Sequence, residues 1–362
     1  MIRKEKIKVT FAIPTLSAGG AERVMSYVAQ NLDRNKFEAS LLVMGKQKDA
    51  AYTVEGIEVI FLEKEKVRNA FFGTTNYLRR QKPDLVISAI VHLNTMMAVI
   101  SILFPNMKFV GRETFVRSAS LVKRKRFSFN TSKIQKYLLD AMICQSQDMK
   151  IDMIENFNIP EEKLTTIHNP VNEKFKLKEA KNSDGITKFI TVGRLSKHKG
   201  HIRVLNSLSN FGKPFTYTII GKGTYLDEIK AKAKELAIDD KVQFIEFTNE
   251  VPHYLQTCDI FLHGSFVEGF PNSMLESCAV GTPVVAFDAP GGINEIIEPG
   301  INGFIASNED EFLQCIHKVI NENYFSPEKV RKSVVDKYSA DKILNDYERF
   351  IKEIVIDQSS TV

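Results

Sequence analysis

Short apolar runs, each followed by a stretch with helical spacing, recur along this chain, and no other feature restricts its fold as tightly. The run at 7–13 precedes a helical pattern at about 21–31, and runs at 39–43, 59–61, 85–89 and 108–111 continue the series. The second half repeats the grammar with strand-like runs at 188–192, 217–220, 242–245, 260–262 and 283–287, and helical patterns near 201–210 and 225–236. Such alternation predicts parallel sheets wrapped by helices, an α/β fold. At 362 residues the chain exceeds one ordinary core, so two domains are expected. The polar stretch 176–188, with Asn182, Ser183, Asp184 and Gly185 and no apolar periodicity, marks the boundary. The expectation is two Rossmann-like, doubly wound halves, 1–178 and 179–338, facing a cleft that takes the ligand.

The remaining bounds are mostly exclusions. The first residues, Met1-Ile2-Arg3-Lys4-Glu5-Lys6, are charged and lead directly into a strand-like run, unlike a secretory leader. The most apolar region, 85–104, is interrupted by His92, Asn94 and Thr95 and reads as a buried strand followed by a buried helix. A cytoplasmic protein without a spanning helix is expected. Cys144, Cys258, Cys278 and Cys315 form no C-x-x-C pair and are read as reduced core thiols.

Charge is unevenly placed although the net value is only +5. Between Glu113 and Asp140 there is no acid, while Arg117, Lys123, Arg124, Lys125, Arg126, Lys133 and Lys136 accumulate among aromatic residues. Arg79, Arg80 and Lys82 follow the pair Phe71-Phe72. Segments of this kind meet anionic lipid headgroups, nucleic acid or a phosphorylated acceptor, and a solvated face has the same composition.

In open α/β sheets ligands gather at the carboxyl ends of strands, so the loops there carry the chemistry. After the first strand, Ser17-Ala18-Gly19-Gly20 opens a helix; its glycines admit a phosphate to the helix N-terminus, and a tight turn needs them equally. In TVGRLSKHKG, Gly193 is followed by Arg194 and Lys199, a planar fork and a compact ammonium suited to a diphosphate, or two surface cations. Gly221-x-Gly223 permits close passage beside a nucleotide and also serves a plain strand-to-helix turn. The fourth loop is the most informative. In SFVEGFPNSMLESCAVGTP, Pro271 bars a helix interior and Asn272 suits an N-cap, so a helix from about Ser273 to Ala279 places Glu276 inside it and Glu268 before it. Both carboxylates can then face one pocket, with the backbone N–H groups of Gly269, Phe270, Asn272 and Ser273 between them and Pro271 shaping the turn. A nucleotide sugar fits: diphosphate at the helix start, ribose hydroxyls on Glu276, the sugar ring near Glu268.

Taken together, E-G-F-P-N-S-M-L-E-S-C-A-V-G-T-P-V-V, preceded by G-R-L-S-K-H-K-G and followed by P-G-G-I-N-E-I-I and G-I-N-G-F, resembles the signature of the retaining glycosyltransferases of family 4, which have the GT-B fold. S-A-G-G-A-E-R-V, Ser146 and I-H-N-P-V-N fit the same pattern. The resemblance implies that Glu268 contacts the transferred sugar, Glu276 the ribose, and Arg194 and Lys199 the diphosphate. It implies transfer from a nucleoside-diphosphate sugar with retained anomeric configuration by a front-face route, without a cofactor, and without a metal since no D-x-D follows a strand. It also implies that the C-terminal segment 339–362, helical at 343–354, crosses back onto the first domain. Many members have a Glu-His pair in the N-terminal domain; here the matching stretch reads G-R-E-T-F, so Thr114 stands at that histidine, leaving Arg112, Glu113 or the lone His92 for its place.

A UDP-linked hexose or N-acetylhexosamine is the expected donor, with GDP-mannose behind it. Relatives beginning with G-G-A-E-R extend lipid-linked oligosaccharides, which implies a polyprenyl-diphosphate-linked glycan acceptor and peripheral contact of residues 117–136 with the anionic inner face of the cytoplasmic membrane. Three other readings stand beside this one: another GT-B enzyme such as an epimerase or phosphorylase, a non-catalytic sugar-nucleotide-binding protein, and a nucleic-acid-binding protein using 117–136. No recognition motif accompanies that basic run, so no nucleic acid is expected.

Overall fold

A computed structural model describes residues 6–356 apart from 18, 121–124, 180–184 and 322–324. The chain divides into two compact units, Met1–Pro170 with Asp341–Val362, and Val171–Ala340. Both are α/β.

The first unit is built on seven parallel strands: β1 (Ile7–Ile13), β2 (Phe37–Val43), β3 (Glu58–Phe61), β4 (Leu85–Ala89), β5 (Lys108–Arg112), β6 (Ala141–Cys144) and β7 (Leu164–Thr166). Their order is β3-β2-β1-β4-β5-β6-β7. Its helices are α1 (Gly20–Asn31), α2 (Phe71–Gln81), α3 (Val91–Ser101), α4 (Arg117–Ser120), α5 (Lys125–Leu138) and α6 (Gln147–Glu155). Continuous apolar runs such as β4, buried along its whole length, are what a sheet covered on both faces demands.

The second unit has six parallel strands: β8 (Thr187–Val192), β9 (Phe215–Ile220), β10 (Val242–Ile245), β11 (Ile260–His263), β12 (Val284–Phe287) and β13 (Gly303–Ala306), in the order β10-β9-β8-β11-β12-β13. It carries α7 (His201–Ser209), α8 (Leu226–Glu235), α9 (Val251–Thr257), α10 (Asn272–Ala279), α11 (Ile293–Ile296), α12 (Glu309–Asn321) and α13 (Pro327–Tyr338). The last helix, α14 (Ala340–Ile356), belongs to the first unit: Ile343, Tyr347, Phe350 and Ile351 repeat at helical spacing and are buried in the same core as β1 and α1.

In each sheet the chain winds outward from a central strand and then returns to that strand's other side. The reversals fall between β1 and β4 and between β8 and β11, so the loops after these strands flank the crevice where open sheets bind ligands. The division at Pro170 and Val171 lies ahead of the sequence boundary at 178/179. Phe175 is fully buried in the second core, and Val171 donates its backbone N–H to Tyr338. Of the polar stretch expected to mark that boundary, 180–184 lie outside the described residues. All four cysteines are buried and none is in a disulfide.

Candidate active site

Three loops at the carboxyl ends of β8, β9 and β11 converge in the second unit. Leu195 donates its N–H to Lys222 O at 2.8 Å, and Phe266 donates to His198 O at 2.8 Å. Glycines make this closeness possible. A Cβ on Gly221 would lie 1.8 Å from Gly193 O, one on Gly223 1.9 Å from Leu195 O, and one on Gly200 1.7 Å from Gly264 O. Gly200 also has φ +63°, so the last glycine of GRLSKHKG is fixed twice, by backbone conformation and by the neighbouring loop. Arg203 from α7 closes the joint. Its Nε donates to Gly264 O at 2.6 Å, its Nη2 donates to Ser265 O, and its guanidinium lies 4.0 Å from the ring centroid of Phe266 and 4.1 Å from that of Phe287.

Glu268 sits at the centre of this arrangement. Its Oε1 accepts from Lys199 Nζ at 2.5 Å and from Ser265 Oγ at 2.5 Å, and His263 Nε2 stands 3.3 Å away. The Lys199 and Ser265 donors both fall on Oε1, His263 Nε2 lies beside it without a hydrogen bond, and Oε2 accepts no hydrogen bond from the described residues. Burial disfavours the charged carboxyl, yet the Lys199 ammonium and the His263 ring outweigh it and hold Glu268 well below the usual carboxylate range. Burial likewise lowers His263, against the pull of Glu268. The result is an ionised carboxylate, oriented through one oxygen and open at the other.

The remaining expected residues distribute as follows. Arg194 is exposed on the β8 loop and Lys199 half-buried. Glu268 donates its backbone N–H to Pro290 O at 2.9 Å, and Gly292 donates to Gly269 O at 2.8 Å, so the β12 loop fixes Gly269 and Phe270 from below. Glu276 lies buried in the second turn of α10. Asn272 is not the N-cap that the sequence suggested: Pro271 occupies that position in extended conformation without a side-chain hydrogen bond, and Asn272 and Ser273 begin the helix. Proline has no N–H to lose at a helix entrance, which lets the helix start one residue early.

Gly19 and Gly20 stand in the first unit at the start of α1, where the Glu22 carboxylate folds back over Gly19. The candidates for the absent histidine fare differently there. Arg112 is fully buried, donating to Tyr347 Oη at 3.0 Å and to Asn169 Oδ1. Glu113 is 1% exposed and paired with Arg117, whose Nη2 also donates to Gln135 Oε1 at 2.5 Å. These residues are occupied in holding β5, α5 and α14 together. Arg117 therefore drops out of the basic surface expected over 117–136, and residues 121–124 of that segment lie outside the described residues. His92 is exposed on α3 and belongs to no core.

Sequence reading missed His263 and Ser265, both flanking Gly264 and buried beside Glu268. The available signal was their proximity in sequence to a carboxylate already suspected. Among the described residues no group of His, Cys, Asp or Glu side chains is arranged to hold a metal ion.

Comparison with known families decides what this site belongs to. The model of glycosyl transferases group 1 matches residues 172–337, and that of glycosyltransferase family 4 matches 18–175. The chain is a glycosyltransferase built of a family 4 domain and a group 1 domain. Over 357 residues this transferase is 27% identical to the N-acetylgalactosamine-N,N'-diacetylbacillosaminyl-diphospho-undecaprenol 4-alpha-N-acetylgalactosaminyltransferase of Campylobacter jejuni, covering 91% of the chain and 96% of that protein. It is 28% identical over 312 residues to the lipopolysaccharide 1,6-galactosyltransferase of Escherichia coli, covering 83% and 81%. Among solved structures, the outer core galactosyltransferase WaaB in its apo form superposes with a TM-score of 0.77 at 18% identity, over 96% of this chain and 99% of that one. Anabaena Alr3699/HepE in complex with UDP gives 0.78 at 18%, over 96% and 100%. The transferase thus has the GT-B fold.

Proposed function

We propose that this transferase moves a hexose or N-acetylhexosamine from a UDP-sugar to a hydroxyl of a polyprenyl-diphosphate-linked glycan, with retention and without a metal ion. The observation that carries the reading is Glu268, an ionised carboxylate held through Oε1 by Lys199 and Ser265, with His263 beside it and Oε2 open, at the switch point of the second sheet. A sugar hydroxyl can donate to Oε2. The diphosphate draws on Arg194, Lys199 and the backbone N–H groups of Gly269, Phe270, Asn272 and Ser273, which offset the charge developing on the leaving group. Glu276 accepts the ribose hydroxyls. The departing phosphate then takes the proton of the acceptor hydroxyl on the same face of the sugar, so no second carboxylate acts as nucleophile.

The acceptor class is supported by the Campylobacter and Escherichia relatives, whose names specify a diphospho-undecaprenol acceptor and lipopolysaccharide. With such an acceptor the enzyme would work at the inner face of the cytoplasmic membrane, where the exposed part of 117–136 would contribute charge. No helix among the described residues is long and apolar enough to cross a membrane. The test is transfer from a panel of UDP-sugars to prenyl-diphosphate glycans, with the anomeric product read by NMR and chelator present in parallel. Donor binding without hydrolysis or transfer would favour a non-catalytic sugar-nucleotide-binding protein instead.

A further inference from the structure

The outer face of α3 is not what water requires. The helix buries Leu93, Asn94, Met97, Ala98 and Ile100, so its opposite side should be polar. That side instead presents His92, Thr95, Met96 and Val99, which line a groove of about 510 Å³ together with Lys66, Arg68 and Phe71. The stripe continues past the helix end at the same spacing through Ile102 and Leu103. Val99 is 39% exposed, Ile102 63% and Leu103 49%, while Phe72 reaches 83% with its edge against Phe71. Scattered apolar residues are ordinary on a surface; a helical stripe of them continuous with an apolar groove is not.

The charge along the stripe itself is basic, and the nearest acids before it in sequence, Glu63 and Glu65, are engaged by the Gln47 N–H and by Lys46. Residues 66–82 and 91–107 contain no carboxylate, and Lys66, Arg68, Arg79, Arg80 and Lys82 are all exposed. α5 lies alongside, since Gln135 Nε2 donates to Val91 O at 3.0 Å and to Thr95 Oγ1 at 2.8 Å; it adds exposed Lys133 and Tyr137. Aliphatic and phenyl groups flanked by cations, without acids, match the boundary between acyl chains and phosphate headgroups. A nucleic acid would match the charge but leave Ile102 and Leu103 without a partner.

We propose that this face docks on an anionic lipid bilayer, with Phe72, Val99, Ile102 and Leu103 entering the acyl boundary and Lys66, Arg68, Arg79 and Arg80 meeting the headgroup phosphates. The contact stands apart from the transfer reading, because it needs neither donor nor acceptor. It moves the centre of membrane contact from 117–136 to the α2–α3 face.

The full-length chain is floated with vesicles of phosphatidylcholine alone and of phosphatidylcholine mixed with phosphatidylglycerol. Binding is expected only to the mixed vesicles. The variant with Ile102→Ser and Leu103→Ser, and the variant with Lys66→Glu and Arg68→Glu, should each bind roughly tenfold more weakly. Unchanged melting curves establish that they fold. The chain has no tryptophan, so Phe72→Trp supplies a single reporter whose emission should shift to the blue with mixed vesicles. Equal binding by wild type and both variants, no binding by wild type, or unshifted Trp emission would overturn the proposal. So would self-association that the Ile102→Ser, Leu103→Ser variant abolishes while vesicles remain unbound.

Discussion

Among the described residues, two cation–carboxylate pairs beside the ends of parallel strands serve opposite ends. In the first unit Arg117 and Glu113 are 2% and 1% exposed, and both carboxylate oxygens are engaged by one guanidinium. In the second unit Lys199 and Glu268 are 27% and 10% exposed, and all protein donors fall on a single carboxylate oxygen. A sealed pair holds architecture together. An open one keeps bonding capacity for something that is not protein. Each of the following experiments should widen or erase that contrast.

The largest effect is expected at the open pair. Glu268→Ala should lower transfer by about 10²–10³-fold, the scale of losing a preorganised polar group in an active site. Its stability should change little, since Lys199 already reaches solvent. Urea unfolding and initial rates measured side by side check both halves. Arg117→Ala should do the reverse: stranding the buried Glu113 carboxylate costs about 3–5 kcal/mol in urea unfolding. Equal destabilisation by the two substitutions would erase the distinction.

Gly200→Ala sharpens the comparison from the backbone side. With φ +63° and Gly264 O in the way of a Cβ, a cost on the order of 1–3 kcal/mol is expected, together with weakened donor binding as the β8 and β11 loops separate. Calorimetric titration of the donor against this variant reads the second effect.

The smallest effect is in pH. Burial lowers His201 to about 4, so the unfolded chain takes up its proton first and stability falls as pH drops. The fall should be about 1 kcal/mol per pH unit between roughly 6.5 and 4. Glu268 acts in a lower window: its contribution is complete above the ordinary carboxyl range and is lost only as pH falls below about 4. His201→Phe should make the first limb shallower, the rest of it belonging to His263, and leave the second, as read by melting temperature against pH.

What could be read in advance follows from how local each signal is. Glu268, Arg194, Lys199 and Gly200 stand in loops whose spacing and flanking strands are written in contiguous residues, and the structure joins Lys199 to Glu268 directly. The strands β1, β4 and β8 announced themselves as runs rich in Ile, Val, Leu and Phe. β7 and β13 did not, because Leu164–Thr166 and Gly303–Ala306 are short and take their place only through neighbours. Arg117 was misplaced for a related reason. Its sequence neighbours are basic, but its partners Glu113 and Gln135 come together only when α4 and α5 pack beside β5. His263 and Ser265 gave no sign beyond standing close in sequence to Glu268, because a lone histidine or serine acquires meaning only from what faces it.

The central claim is that the open pair marks a nucleotide-sugar site. Saturation-transfer NMR of the wild type against UDP-, GDP- and dTDP-sugars, repeated with Glu276→Ala and Lys199→Ala, tests it most directly. The account predicts enhancement on the ribose and sugar protons of a UDP-sugar, greatly weakened in both variants. Saturation of a donor that persists unchanged in both, or no transfer to any of the panel, would contradict it.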